Sequence, residues 1–164
     1  MTVQDVMTYD VHTCRPDTDL AMAAMQMWDG DFGVLPVLDG KKVVGMITDR
    51  DICMAAAMKR RDPGTIRVDE VMTGQVFCCS PDTDIREALK IMRKNQVRRL
   101  PIIDVVERRL TGLLSLNDVA LKAQSDASGE LSAQDVEETL RTICAHQSPR
   151  PIAVPFQPAP QLAA

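Results

Sequence analysis

The segment Val3-Gln4-Asp5-Val6-Met7-Thr8 returns as Val68-Asp69-Glu70-Val71-Met72-Thr73, a shift of 65 residues. The same shift carries Pro16-Asp17-Thr18-Asp19 onto Pro81-Asp82-Thr83-Asp84, and Leu35-Pro36-Val37-Leu38-Asp39 onto Leu100-Pro101-Ile102-Ile103-Asp104. Beyond that point the second copy gains two residues in a turn, so that Gly45 matches Gly112 and Asp51 matches Asp118. A match this long, with one short insertion at a turn, marks a duplication and restricts the chain to two similar units. The length of 164 residues suits one compact domain or two small ones sharing a core.

Both copies carry the same local signals. Thr18 and Thr83 stand as N-caps, with Asp19 and Asp84 near the positive end of the helix that follows. In copy two that helix has Ile85, Ala88, Leu89 and Met92 at i, i+3, i+4 and i+7, and in copy one Leu20, Ala24 and Met27 fall on the matching face. A short apolar strand follows at 34–38 or 99–103. Asp39-Gly40 then turns the chain into Val43–Ile47, whereas copy two reaches its return strand Leu110–Leu114 through a longer turn. A last helix starts after Thr48 or Ser115. The expected order in each copy is strand, helix, strand, strand, helix.

These signals predict a first repeat at 1–60, a charged connector at 61–67 and a second repeat at 68–124. A helical extension at 125–147 follows, with Ser132 and Asp135 as a capping pair and Val136, Leu140 and Ile143 on one face. Residues 148–164 hold five prolines and read as an extended or flexible tail.

Composition narrows the function classes. Apolar residues make up 45% and charged residues 26%, a globular balance, and no run nears the roughly 18 apolar residues of a membrane span. The N-terminal residues lack the basic start and apolar stretch of a secretory signal, which points to the cytoplasm. A net charge of −4 offers nucleic acid no general attraction, and one tyrosine with three phenylalanines argues against single-strand stacking. The five cysteines form no C-x2-C pair, so no metal site is expected, and vicinal Cys78-Cys79 reads as strand thiols before it reads as a redox sensor. No Walker A loop, G-x-S-x-G or H-E-x-x-H is present, so no catalytic residues are assigned and an enzyme is not expected.

The motifs Asp5-Val6-Met7-Thr8, Glu70-Val71-Met72-Thr73, Val44-Gly45-Met46-Ile47-Thr48-Asp49-Arg50-Asp51-Ile52 and Thr111-Gly112-Leu113-Leu114-Ser115-Leu116-Asn117-Asp118-Val119 together resemble a tandem pair of cystathionine β-synthase (CBS) domains, a Bateman module. The resemblance spans about Val3 to Lys122. It implies an α+β fold in which two β-α-β-β-α repeats pack by their sheets around a pseudo-twofold axis and leave two clefts. It also implies a regulatory module without required cofactors that takes AMP, ADP, ATP or S-adenosylmethionine, acting on an unidentified protein. The other reading is a structural or interaction module whose clefts stay empty.

From the residues themselves, Thr48-x-x-Asp51 and Ser115-x-x-Asp118 each open a helix after a strand, where free N–H groups and the dipole suit a phosphate. The same spacing is a plain capping box, and both roles stay open. The resemblance pairs each motif with the two residues before the second strand of its own repeat. That makes Arg98-Arg99 the partners of Ser115 and Asp118, and Gly33-Val34 the partners of Thr48 and Asp51, with Arg50 as a further cation. It also assigns Thr13 to the Ser115 cleft and Cys78 to the Thr48 cleft. Two guanidiniums can neutralise a phosphate, so the Ser115 cleft is expected to be the stronger.

The first helix has a second apolar face, Ala21, Met22, Met25 and Trp28, where copy two has Arg86, Glu87, Lys90 and Arg93, a face expected to be solvated. Met22, Met25 and Trp28 are the expected homodimer contact; the competing reading covers them with the C-terminal helix.

Overall fold

The computed structural model describes residues 1–125 and 129–145; the proline-rich tail expected at 148–164 lies outside them. Each repeat is a helix, a two-stranded hairpin and a second helix. The first holds α1 (Leu20–Asp29), β1 (Val34–Asp39), β2 (Lys42–Thr48) and α2 (Asp49–Lys59); the second holds α3 (Ile85–Asn95), β3 (Arg99–Asp104), β4 (Arg109–Ser115) and α4 (Leu116–Ser125). A fifth helix, α5 (Ala133–Cys144), follows. Both hairpins are antiparallel with a bulge at the same place, Val37/Leu38 and Ile102/Ile103. No helix among the described residues is long and apolar enough to cross a membrane.

The strand expected at the start of each repeat is instead a single turn of 3-10 helix, Val3–Asp5 or Val68–Glu70, followed by isolated bridges. These starts are exchanged. Thr8 and Leu113 of β4 trade both backbone hydrogen bonds at 2.9 Å, and Thr73 pairs in the same way with Met46 of β2. Val3 and Met7 are accordingly buried with Ile85, Leu89 and Leu114 of the second repeat, while Ile66 and Val68 are buried with Leu20 and Ile47 of the first. Each repeat's core is closed by a strap from the other.

The strap explains the glycines. A Cβ on Gly112 would stand 2.5 Å from Met7 Sδ and 3.0 Å from Thr8 O; on Gly45 it would stand 2.5 Å from Met72 Sδ and 3.1 Å from Thr73 O. Glycine at these strand positions lets the crossing backbone approach. The two hairpins meet along β2 and β4.

The helix caps fall one residue later than expected. Asp19 and Asp84 accept from Met22 N (2.8 Å) and Arg86 N (2.9 Å). Thr18 and Thr83 instead accept from Arg15 N and Ser80 N, closing the turns at Pro16 and Pro81.

Helix α5 does not cover α1. It packs on α3 and α4, burying Leu131 and Thr139, with Val136 and Ile143 against the second core. Leu140, expected on that face, is 45% exposed, and Thr139 takes the inner position. The face of α3 expected to be solvated is thus partly a docking face: Arg93 Nη1 donates to Thr139 Oγ1 at 2.9 Å and Arg86 lies 4.0 Å from Asp135. The matching face of α1 is left open, with Met22, Met25 and Trp28 exposed by 47, 55 and 87%.

Candidate functional site

Thr48 caps α2 and Asp51 closes the box. Thr48 N and Oγ1 donate to Asp51 Oδ2 at 3.0 and 2.7 Å, and Asp51 N donates back to Thr48 Oγ1 at 3.2 Å. Ser115 and Asp118 repeat the geometry at 2.9, 2.6 and 3.1 Å. Ser132 and Asp135 make the same box at α5, so the motif alone marks a helix start. What distinguishes the first two is that each opens into a cavity. In both, a single oxygen takes the capping bonds, leaving Oδ1 of Asp51 and Asp118 unbonded among the described residues.

The Thr48 cleft has a volume of about 450 Å³ and is lined by Val34, Met46, Thr48, Arg50, Asp51, Thr73, Gln75, Phe77, Gln96, Val97, Arg98, Arg99, Pro101 and Ile143. The Ser115 cleft, about 310 Å³, is lined by Thr8, Asp10, Val11, His12, Asp31, Phe32, Gly33, Val34, Arg99, Leu113, Ser115, Asn117 and Asp118. The exchanged straps therefore carry wall residues: Thr8, Asp10 and His12 in one cleft, Thr73, Gln75 and Phe77 in the other.

The structure groups the sequence-derived residues differently from the expected pairing. Arg98 lines the Thr48 cleft and Gly33 the Ser115 cleft, each in the opposite repeat's site, whereas Val34 and Arg99 line both. The cause is local. Val34 and Arg99 begin their strands directly opposite Thr48 and Ser115, and the residue before each lies outside that register. Thr13 and Cys78 line neither cleft; the neighbouring His12 and Phe77 do. Cys14 and Cys79 bridge to the strands, and a one-residue step along an extended segment reverses a side chain's direction, so His12 and Phe77 were missed by one position.

Comparing equivalent wall positions exposes a reversal of charge. Arg50, Gln75, Gln96 and Arg98 of the Thr48 cleft correspond by the repeat to Asn117, Asp10, Asp31 and Gly33 of the Ser115 cleft. One cleft thus has three arginines and one carboxylate; the other has one arginine and three carboxylates. Neither Arg50 nor Arg99 is in an ion pair among the described residues, while Arg98 Nη2 lies 3.5 Å from Cys144 Sγ. In the Ser115 cleft the His12 and Phe32 rings pack with centroids 5.0 Å apart.

All five cysteines are free thiols. Burial pushes the Cys79 thiol up to about 11, with neighbouring Cys78 adding to the shift, and burial does the same to Cys14. A thiol so far from ionising is a poor nucleophile, which weakens the redox reading of the vicinal pair. Among the described residues no three His, Cys, Asp or Glu side chains gather as a metal site.

The CBS domain profile matches residues 3–57 and 68–124. The CBS domain-containing protein YhcV of Bacillus subtilis is 35% identical over 126 residues, covering 77% of this chain and 88% of that protein. Hypoxic response protein 1 of Mycobacterium tuberculosis is 33% identical over 120 residues, 73% of this chain and 82% of the relative. Its crystal structure, which holds two coordinated zinc ions, superposes with a TM-score of 0.66 over 74% of this chain and 98% of that one. The CBS domain pair of MJ0100, solved with 5′-methylthioadenosine and S-adenosyl-L-methionine, shares the fold at a TM-score of 0.67 and 24% identity, over 74% of this chain and 98% of that one.

Proposed function

Taking as premise that the chain belongs to the CBS domain family and carries two such domains, we propose that it is a regulatory module, without catalysis of its own, that binds a phosphorylated adenosine in the Thr48 cleft. The observation that carries this reading is the charge reversal between two otherwise equivalent clefts. In the Thr48 cleft Arg50, Arg98 and Arg99 line the cavity into which the start of α2 opens, and the helix dipole adds positive potential there. Guanidiniums meet phosphate oxygens through paired, charge-assisted bonds. Asp51 Oδ1 is free to accept from ribose hydroxyls, and Val34, Val97, Phe77 and Pro101 offer apolar walls for a base. The stronger nucleotide site is therefore proposed at Asp51, not Asp118 as the sequence pairing suggested.

The Ser115 cleft, rich in Asp10, Asp31 and Asp118, suits a neutral or cationic nucleoside, the class that includes S-adenosylmethionine. Calorimetry with AMP, ADP and ATP tests the assignment. Arg50→Ala and Asp51→Ala should weaken the tight site by about 10-fold or more, the loss typical of a hydrogen bond to a charged group, and Asp118→Ala should leave it unchanged. The reading fails if Asp118→Ala is the damaging variant, or if no adenine compound binds the parent, which would favour a structural module.

The module is also proposed to pair with a second copy through α1 and α2. On the second repeat, α5 covers the equivalent face; on the first, Trp28 stands beside an open groove of about 460 Å³ lined by Ala24, Met27, Phe32, Ile52 and Cys53. An exposed apolar patch of this kind ordinarily marks a contact. Light scattering should give twice the monomer mass for the parent and a monomer for Trp28→Glu.

A further inference from the structure

We propose that α5, which lies outside both repeats, forms part of the Thr48 cleft and makes ligand binding there interdependent with its own docking. The inference rests on the reading of that cleft as a site for a phosphorylated nucleoside. Its starting point is a juxtaposition across the molecule. Ile143, in the last turn of α5, is a wall residue of the cleft, and the next residue, Cys144, holds Arg98 through Sγ at 3.5 Å.

The helix is anchored firmly enough to act at that distance. Leu131 is buried just before it, and Thr139, fully buried, accepts from Arg93 and donates to Asp135 O at 2.7 Å. From that anchor the last turn projects to the cleft mouth. The carbonyls of a helix's last turn have no partner within the helix and carry partial negative charge, which favours a guanidinium beside them.

Arg98 is otherwise an exposed side chain on a segment entering β3. A long exposed arginine loses much rotamer freedom on meeting an anion, and a donor already held in place loses less. A guanidinium has five N–H donors. It can keep one on Cys144 and the α5 terminus while turning others toward a phosphate. Cys144 is thus a positioning residue for Arg98, and Ile143 a direct wall. By linkage, a ligand that favours the cleft with α5 docked also stabilises the docked helix. The first repeat has no counterpart among the described residues: Gly33 stands where Arg98 does, and α5 packs on α3 and α4. Occupancy of one cleft only is then reported to α5.

The test uses the full chain as parent, Cys144→Ala, Cys144→Ser, Ile143→Asp and Arg98→Ala, with calorimetry and amide hydrogen exchange. AMP affinity should fall roughly two- to tenfold in Cys144→Ala, recover in Cys144→Ser, whose hydroxyl accepts the same bond, and fall further in Ile143→Asp. Adenosine, which lacks the phosphate, should bind the parent, Cys144→Ala and Cys144→Ser alike. Saturating AMP should slow exchange over residues 140–144. Without nucleotide, Arg98→Ala should speed exchange in that turn relative to the rest of α5. Equal AMP affinity in the parent, Cys144→Ala and Ile143→Asp, with unchanged exchange in α5, would overturn the proposal. So would an α5 insensitive to Arg98→Ala, a result available even if no nucleotide binds. Absence of nucleotide binding by the parent sinks the functional reading alone.

Discussion

Gly112→Ala is the sharpest probe of the exchanged straps. The new methyl would stand 2.5 Å from Met7 Sδ and 3.0 Å from Thr8 O. The sulfur ends a flexible side chain and can swing aside. The carbonyl cannot, because Thr8 is tied to Leu113, the residue next to Gly112, by two 2.9 Å hydrogen bonds. Crowding in a packed site costs about 1–3 kcal/mol. Gly112 has an ordinary negative-φ backbone, so no conformational strain is added. For a chain of this size each kcal/mol lowers Tm by roughly 2–4 °C, giving an expected fall of about 2–12 °C by calorimetry or circular dichroism. Met7→Ala separates the two contacts. If the backbone dominates, the double variant Gly112→Ala/Met7→Ala is less stable than Met7→Ala alone by nearly the full cost of Gly112→Ala. An unchanged Tm in Gly112→Ala would refute the close crossing, and a double variant as stable as Met7→Ala would refute the role given to Thr8.

Other outcomes follow from the same structure. Ser115→Ala removes the α4 cap and should cost about 1 kcal/mol, measured by urea unfolding, with Thr48→Ala costing α2 a similar amount. Asp135, held by Ser132 and by Arg86 and Arg93, has its carboxyl below the usual range. Its stabilisation of α5 is therefore complete above about pH 4, the ordinary carboxylate value, and is lost as pH falls through the lowered one. Protection of α5 amides, taken relative to the intrinsic exchange rate at each pH, should fall over that acid window in the parent, and Asp135→Asn should flatten the dependence. Alkylation at pH 8 followed by mass spectrometry should label exposed Cys53, Cys78 and Cys144 well before Cys14 and Cys79; equal rates would contradict the burial described. A saturating ligand at about 100 times its Kd should add roughly 2.7 kcal/mol and raise Tm by several degrees.

The duplicated motifs specify the hairpins and the helices that flank them, though not the 3-10 turn that opens each repeat, because each rests on local chemistry: the Asp39-Gly40 turn, the apolar i, i+3, i+4 stripe of α3, the hydroxyl-x-x-Asp boxes. What they could not show is which copy a segment serves. Val3 and Val68 look alike to either core, and only the tertiary crossing sends each to the other repeat. The site suffered the same ambiguity. Thr48, Asp51, Ser115 and Asp118 are legible in the sequence as helix starts, and each pair opens into a cavity, but the structure places Arg98 and Gly33 in the opposite cavities from those expected. His12 and Phe77 were missed because alternation along an irregular segment has no visible phase until Cys14 and Cys79 are seen to pair. The docking of α5 left a trace that could have been followed: Arg86 and Arg93 on α3 complement the acidic first half of α5.

The crossed straps also bear on how such a chain can be cut and how it arose. A fragment ending near residue 60 would keep its hairpin and helices yet lack Ile66 and Val68, which are fully buried in its core. Severed halves should remain unfolded singly and regain structure on mixing, as complementary fragments do. An ancestor with one copy of the unit would have met the same need by lending its first residues to an identical neighbour. Fusing two such genes end to end would have made that loan internal, freeing each cleft wall to diverge in charge.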